Sequence, residues 1–129
     1  MKLAEFIIPG LVVLAVAIIF VARRKSSPPF DVGGIYSIND GTGRYGVVKL
    51  LAQADGICHV RLYRQRFSTR PATIDVASLS LGKFGDPDGF GIGHVPLYED
   101  GLFGWDPVLI TKTTVSPDEL EGYEIWKQS

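Results

Sequence analysis

The chain has 129 residues, a formal net charge of −1 and one cysteine. About 100 to 200 residues per domain leaves room for a single small domain. Cys58 has no partner for an internal disulfide and lies in no metal-ligand spacing, which excludes a disulfide scaffold and suits a reducing compartment. The near-neutral total hides an asymmetry: nine basic and three acidic residues from Arg23 to Arg70, against three basic and ten acidic from Pro71 to Ser129.

The first element is apolar. Residues 3–22 are uncharged apart from Glu5, and as a helix they would span about 30 Å, the thickness of a bilayer's hydrocarbon core. Arg23, Arg24 and Lys25 follow the run directly, whereas only Lys2 precedes it. A cleaved signal peptide carries its charge in the opposite order, so residues 1–25 are expected to be an uncleaved single-pass anchor. That orientation places the N-terminus outside and the rest of the chain in the cytoplasm, at the inner membrane. Ser26 to Val32, with paired prolines, reads as a short stiff linker.

From Gly33 to Ser129 the pattern is strand and turn. Ile35–Ile38 predicts a strand, Asn39–Arg44 a turn, Tyr45–Ala52 a second strand, Gln53–Gly56 another turn and Ile57–Phe67 a third strand. This meander predicts an antiparallel sheet. Ile74–Leu79 predicts one helical turn capped by Asp75. Phe84–Pro107, rich in glycine, aspartate and aromatics, reads as a shaped connection. A strand is expected within Asp106–Val115. Ser116, Pro117 and Glu119 then form a capping box that starts a short helix, whose end Gly122 leaves open. Short bent strands in about 100 residues predict an SH3-like barrel or rolled antiparallel sheet, all-β or α+β, stabilised by Tyr123 and Trp126 packed on it.

Familiar chemistry fails on spacing. Gly89, Gly91 and Gly93 do not match a dinucleotide fingerprint, and no Gly-Lys-Ser or Gly-Lys-Thr occurs. A calcium loop beginning at Asp86 and Asp88 would need ligands where Phe90 and Leu97 stand. Zinc is disfavoured because His59 and His94 are the only histidines and strand alternation turns Cys58 away from His59. No cofactor or metal is therefore expected. His94 reads as a loop residue bonded to backbone, although an acid/base site of His94 with Asp88 and Asp106 is the alternative enzyme reading.

The third strand offers a sharper pattern. If Val48, Leu50, Cys58, Val60 and Leu62 face the core, then Tyr45, Lys49, His59, Arg61 and Tyr63 make a basic, aromatic outer patch. With His94, these are the candidate partner-binding residues. The quoted stretches GGIYSINDGTGRYGVVKLL (Gly33–Leu51) and HVRLYRQRF (His59–Phe67) resemble the opening of small immunity proteins of bacterial polymorphic toxin systems, the family called immunity protein 26. The aromatic-glycine pair is Tyr45 and Gly46. The resemblance implies a compact β-rich domain with a protein partner, a toxin neutralised by occlusion, and no catalytic residues. Together these features predict a membrane-tethered binding domain facing the cytoplasm rather than an enzyme. An adaptor for anionic lipid or RNA is the remaining alternative, and nucleic acid is not the expected partner.

Overall fold

The computed structural model describes Phe30–Pro87 and Gly89–Ser129. Strands β1 (Gly34–Asn39), β2 (Tyr45–Ala54), β3 (Ile57–Leu62), β4 (Ile92–Tyr98) and β5 (Val108–Lys112) form one antiparallel sheet in the order β4-β3-β2-β1-β5. The meander β1-β2-β3 follows from the turns. Asp55 (φ 55°) and Gly56 (φ 77°) are the central residues of the β2–β3 turn, and two positive φ values in succession match the right-handed twist of the strands it joins. The β1–β2 turn is closed by side chains: Asn39 accepts from the Gly41 N–H, and Asp40 accepts from the Thr42 N–H and hydroxyl.

Both faces of the sheet are covered. Tyr36, Ile38, Val48, Leu50, Cys58 and Val60 form one core with Phe30 and with Leu102 of helix α1 (Glu99–Gly104). On the other face, Ile35, Val47 and Tyr63 pack under the excursion between β3 and β4, through Phe67, Ile74, Leu79 and Leu81. That excursion holds the expected helical turn at Val76–Ser78, capped by Asp75 accepting from the Ala77 N–H. A 3-10 turn (Asp118–Leu120) leads into helix α2 (Glu121–Lys127), and the capping box forms reciprocally between Ser116 and Glu119.

Several expectations are corrected. The sheet is open, with β4 and β5 at its edges, so the expected SH3-like barrel is not formed and what stands is an open five-stranded antiparallel sheet with a short C-terminal helix. β3 ends at Leu62 rather than running to Phe67, and Phe67 returns only as an isolated bridge to Tyr45. Phe30 belongs to the core rather than to a linker, stacking edge-on against Tyr36. The glycine-rich connection contains β4 and α1. Among the described residues no helix is long and apolar enough to cross a membrane. The expected anchor, residues 3–22, lies outside the described residues, and the inner-membrane location and membrane-tethered function inferred from it are not supported.

Glycine and proline in β4 have specific placements. A Cβ on Gly91 would stand 2.0 Å from the Leu62 carbonyl oxygen, so only glycine lets the chain enter β4 so close to the end of β3. The Glu99 N–H donates to the Gly56 carbonyl, which puts the His59–Pro96 pair, three steps along, among the non-hydrogen-bonded pairs of the ladder. The nitrogen of Pro96 therefore faces the open edge, where a missing donor costs the sheet nothing.

Candidate functional site

The patch expected on the outer sheet face is mostly enclosed. Lys49 (4% exposed), His59 (0%) and Tyr63 (7%) are buried, Tyr45 and Arg61 are half-buried, and His94 is half-buried on β4 rather than in a loop. The reason lies in the same strand: Val47 and Leu51 alternate with Lys49, and an apolar pair flanking a lysine requires a cover. The β3–β4 excursion and α2 supply it.

The enclosed lysine acquires two partners. Lys49 Nζ lies 3.0 Å from Glu119 Oε1 and donates to the Thr114 carbonyl at 2.6 Å. Burial alone would raise the Glu119 carboxyl, but hydrogen bonds from Ser116 and the Lys49 charge bring it below the usual carboxylate value. Burial raises the Tyr63 phenol, and Glu119 adds to the shift. Arg61 Nε is buried with no hydrogen-bond partner among the described residues. Tyr45 carries the Arg70 guanidinium 4.7 Å above its ring, and Arg70 is itself fixed by Ser37 and Asp106. Asp106 is thus committed to Arg70 rather than to His94, and Asp88 lies outside the described residues.

His59 and His94, 35 positions apart, meet at 2.8 Å between Nδ1 and Nε2. Their ring planes differ by 7° and their centroids are 5.1 Å apart, so the rings lie end to end in one plane, nitrogen facing nitrogen. A metal ion has no room between lone pairs aimed at each other at that distance, whereas one shared proton does. Tyr123 and Trp126 of α2 cover His59 at 4.5 and 4.6 Å. The remaining His59 nitrogen, Nε2, has no oxygen or nitrogen partner among the described residues. The tautomer with His94 Nε2 donating to His59 Nδ1 leaves an Nε2–H that can point at these rings, a weak but favourable contact. Burial lowers the pKa of both imidazoles, and His94 lowers that of His59 further. Cys58 points to the opposite face, as alternation requires, and burial pushes its thiol up to about 11.

Gly122 does not end the helix. It lies in the first turn of α2, where a Cβ would come within 2.6 Å of His94 Cβ. Gly122→Ala is therefore expected to destabilise the fold by about 1–3 kcal/mol through overpacking, against a helix-propensity gain of about 1 kcal/mol. Urea unfolding checks this: the midpoint should fall with the slope unchanged.

An open, charged site lies at the far end of the sheet from the β2–β3 turn. Arg44, Arg64 and Arg66 line a cleft of about 440 Å³ with Gln65, Phe67 and Pro87. Local structure aims them. Arg64 donates from its backbone to the Ser80 carbonyl and from Nε to the Ser80 hydroxyl, both at 2.9 Å. Gln65 Oε1 accepts from the Ser80 N–H, so the strand exit and the excursion are laced together. Arg66 turns back onto the Tyr63 and Gln65 carbonyls and sits 3.7 Å from Asp40. Arg44 donates to the Arg66 carbonyl. Neither Arg44 nor Arg64 is in an ion pair among the described residues. The alternating arginines at 64 and 66, beyond the end of β3, were the sequence signal for this cleft.

The architecture and cleft define a small two-faced antiparallel β domain with a basic recess at one end of its sheet. Comparisons with protein-family models, with curated proteins and with solved structures yield no match.

Proposed function

We propose that this is a binding domain that takes an acidic segment of a partner protein in the Arg44–Arg64–Arg66 cleft. The observation that carries the reading is a recess lined by three arginines, two of them in no ion pair among the described residues, with no carboxylate in its described lining. Guanidinium groups present a planar fork that matches a carboxylate with two hydrogen bonds, and fixing the fork in advance reduces the entropy lost on binding. A nucleic acid fits less well. The one aromatic among the described residues lining the cleft is the half-buried Phe67, which offers no series of stacking platforms, and the acidic second half of the chain would repel a phosphate backbone. The resemblance of Gly33–Phe67 to immunity protein 26 supports the same kind of partner, a protein.

The test is fluorescence anisotropy of the full chain with a labelled glutamate-rich peptide, a lysine-rich control and a single-stranded RNA. The glutamate-rich peptide should bind, more weakly as salt rises, and Arg44→Ala and Arg64→Ala should each weaken it about tenfold while remaining folded, with the urea midpoint lowered only by the one intramolecular hydrogen bond each gives up. Binding indifferent to both substitutions, or tighter binding of the RNA, sinks the reading.

A further inference from the structure

A second cleft, of about 460 Å³, lies on the other side of Arg66 and shares that residue with the arginine recess. Its lining includes Ile38, Leu62 and Trp105 beside the Asn39–Gly41 turn. Its two charged members are already committed. Asp40 Oδ1 accepts from the Thr42 N–H, the Thr42 hydroxyl and the Arg44 N–H, while Oδ2 faces Arg66 at 3.7 Å. Arg66 in turn is bound to the Tyr63 and Gln65 carbonyls. What the cleft offers an incoming group is therefore the apolar surface of Trp105 and its aliphatic neighbours. The wall is held in place, since Asn39 donates to the Trp105 carbonyl at 2.8 Å and Trp105 donates to that of Leu102.

We infer that the segment bound by this domain carries a large apolar side chain directly beside its acidic residue, the first seated against Trp105 and the second on Arg44 and Arg64. This inference rests on the acidic-partner reading and adds its specificity. Two recesses of different chemistry separated by one side chain, at one end of one sheet, select a two-part motif: charge gives orientation and the apolar anchor gives affinity. Another recess, about 260 Å³ beside Ile57, Tyr98 and Trp126, lies at the β2–β3 turn end of the sheet and shares no lining residue with the arginine cleft. It does not substitute for the Trp105 cleft.

The experiment uses the full-length chain and three labelled peptides of equal length: one with Asp-Glu-Phe at its centre, one with Phe replaced by Ala, and one with the acids replaced by Asn and Gln. Loss of the phenylalanine should weaken binding about tenfold, as expected for losing one buried aromatic side chain. Loss of the acids should abolish binding. In Trp105→Ala the first two peptides should bind alike. If the Phe-to-Ala change leaves affinity unaltered while binding still needs the acids, the inference falls and the acidic-partner reading stands. If no acidic peptide binds, both fall. Because Trp105 packs on the core, its variant is compared only if folded, and the peptides on the unaltered chain decide the question by themselves.

Discussion

Lys49→Met is expected to cost the folded chain about 3 kcal/mol, the range for removing one member of a buried ion pair. The side chains of Lys49 and Glu119 are 6% and 17% exposed, and the Thr114 carbonyl depends on the same ammonium. Methionine fills the volume but leaves Glu119 with its Ser116 bonds alone and the carbonyl without a donor. The cost is therefore desolvation of the abandoned groups rather than the Coulomb energy of the pair. Glu119→Gln should lose a similar amount, because it leaves the more deeply buried charge uncompensated. Lys49→Met combined with Glu119→Gln should cost clearly less than the two single losses added together. Urea unfolding of the four proteins gives the coupling directly, and additive single losses would refute the pairing. The lowered Glu119 carboxyl also fixes a sign: its contribution is present above the ordinary carboxylate range and is lost as pH falls through the folded value.

The histidine pair sets a separate pH window. Both imidazoles are lowered from their ordinary value of 6.5, chiefly by burial. The unfolded chain therefore binds protons that the folded chain refuses, so the stability from this pair is fully present above pH 6.5 and is lost as pH falls below it. The pair shares one hydrogen bond and titrates as a unit. The groups facing it are Tyr123 and Trp126 from α2, with Lys127 lying 4.9 Å over the Tyr123 ring; Lys49 and Glu119 are already paired on the same sheet face. Thermal unfolding should show the midpoint falling from about pH 7 to about pH 5. His59→Leu with His94→Leu should flatten that fall, since both polar partners leave together. His94→Ala alone should cost about 1–3 kcal/mol at neutral pH by stranding His59 Nδ1. A pH profile unchanged in the double variant would mean that other groups control this range.

The sequence revealed local chemistry and missed long-range enclosure. The Ser116–Glu119 capping box, the Asp75-capped turn and the Asp55–Gly56 hairpin were legible because each depends on residues within four positions. β4 was not, because Gly91, Gly93 and Pro96 all argue against a strand, and only the close approach to Leu62 explains Gly91 and only the outward nitrogen explains Pro96. The basic patch was misread for a different reason. Alternation correctly separates Lys49 and His59 from Leu50 and Cys58, but it cannot say whether the second face is wet. Val47 and Leu51 carried that information: a strand apolar on both sides belongs inside. The His59–His94 contact joins strands that become neighbours only in the folded sheet, and the arginine cleft needs the β3–β4 excursion to bring Ser80 beside Arg64.

Cys58 has a practical consequence. With 0% exposure and a thiol pushed up to about 11, it carries almost no thiolate at neutral pH and presents nothing to a reagent in the closed molecule. Its position in the middle sheet core means that alkylation must wait for α1 or the β3–β4 edge to lift away. The rate at which a small electrophile consumes this single thiol is thus a built-in clock for opening of that face, readable without an added probe.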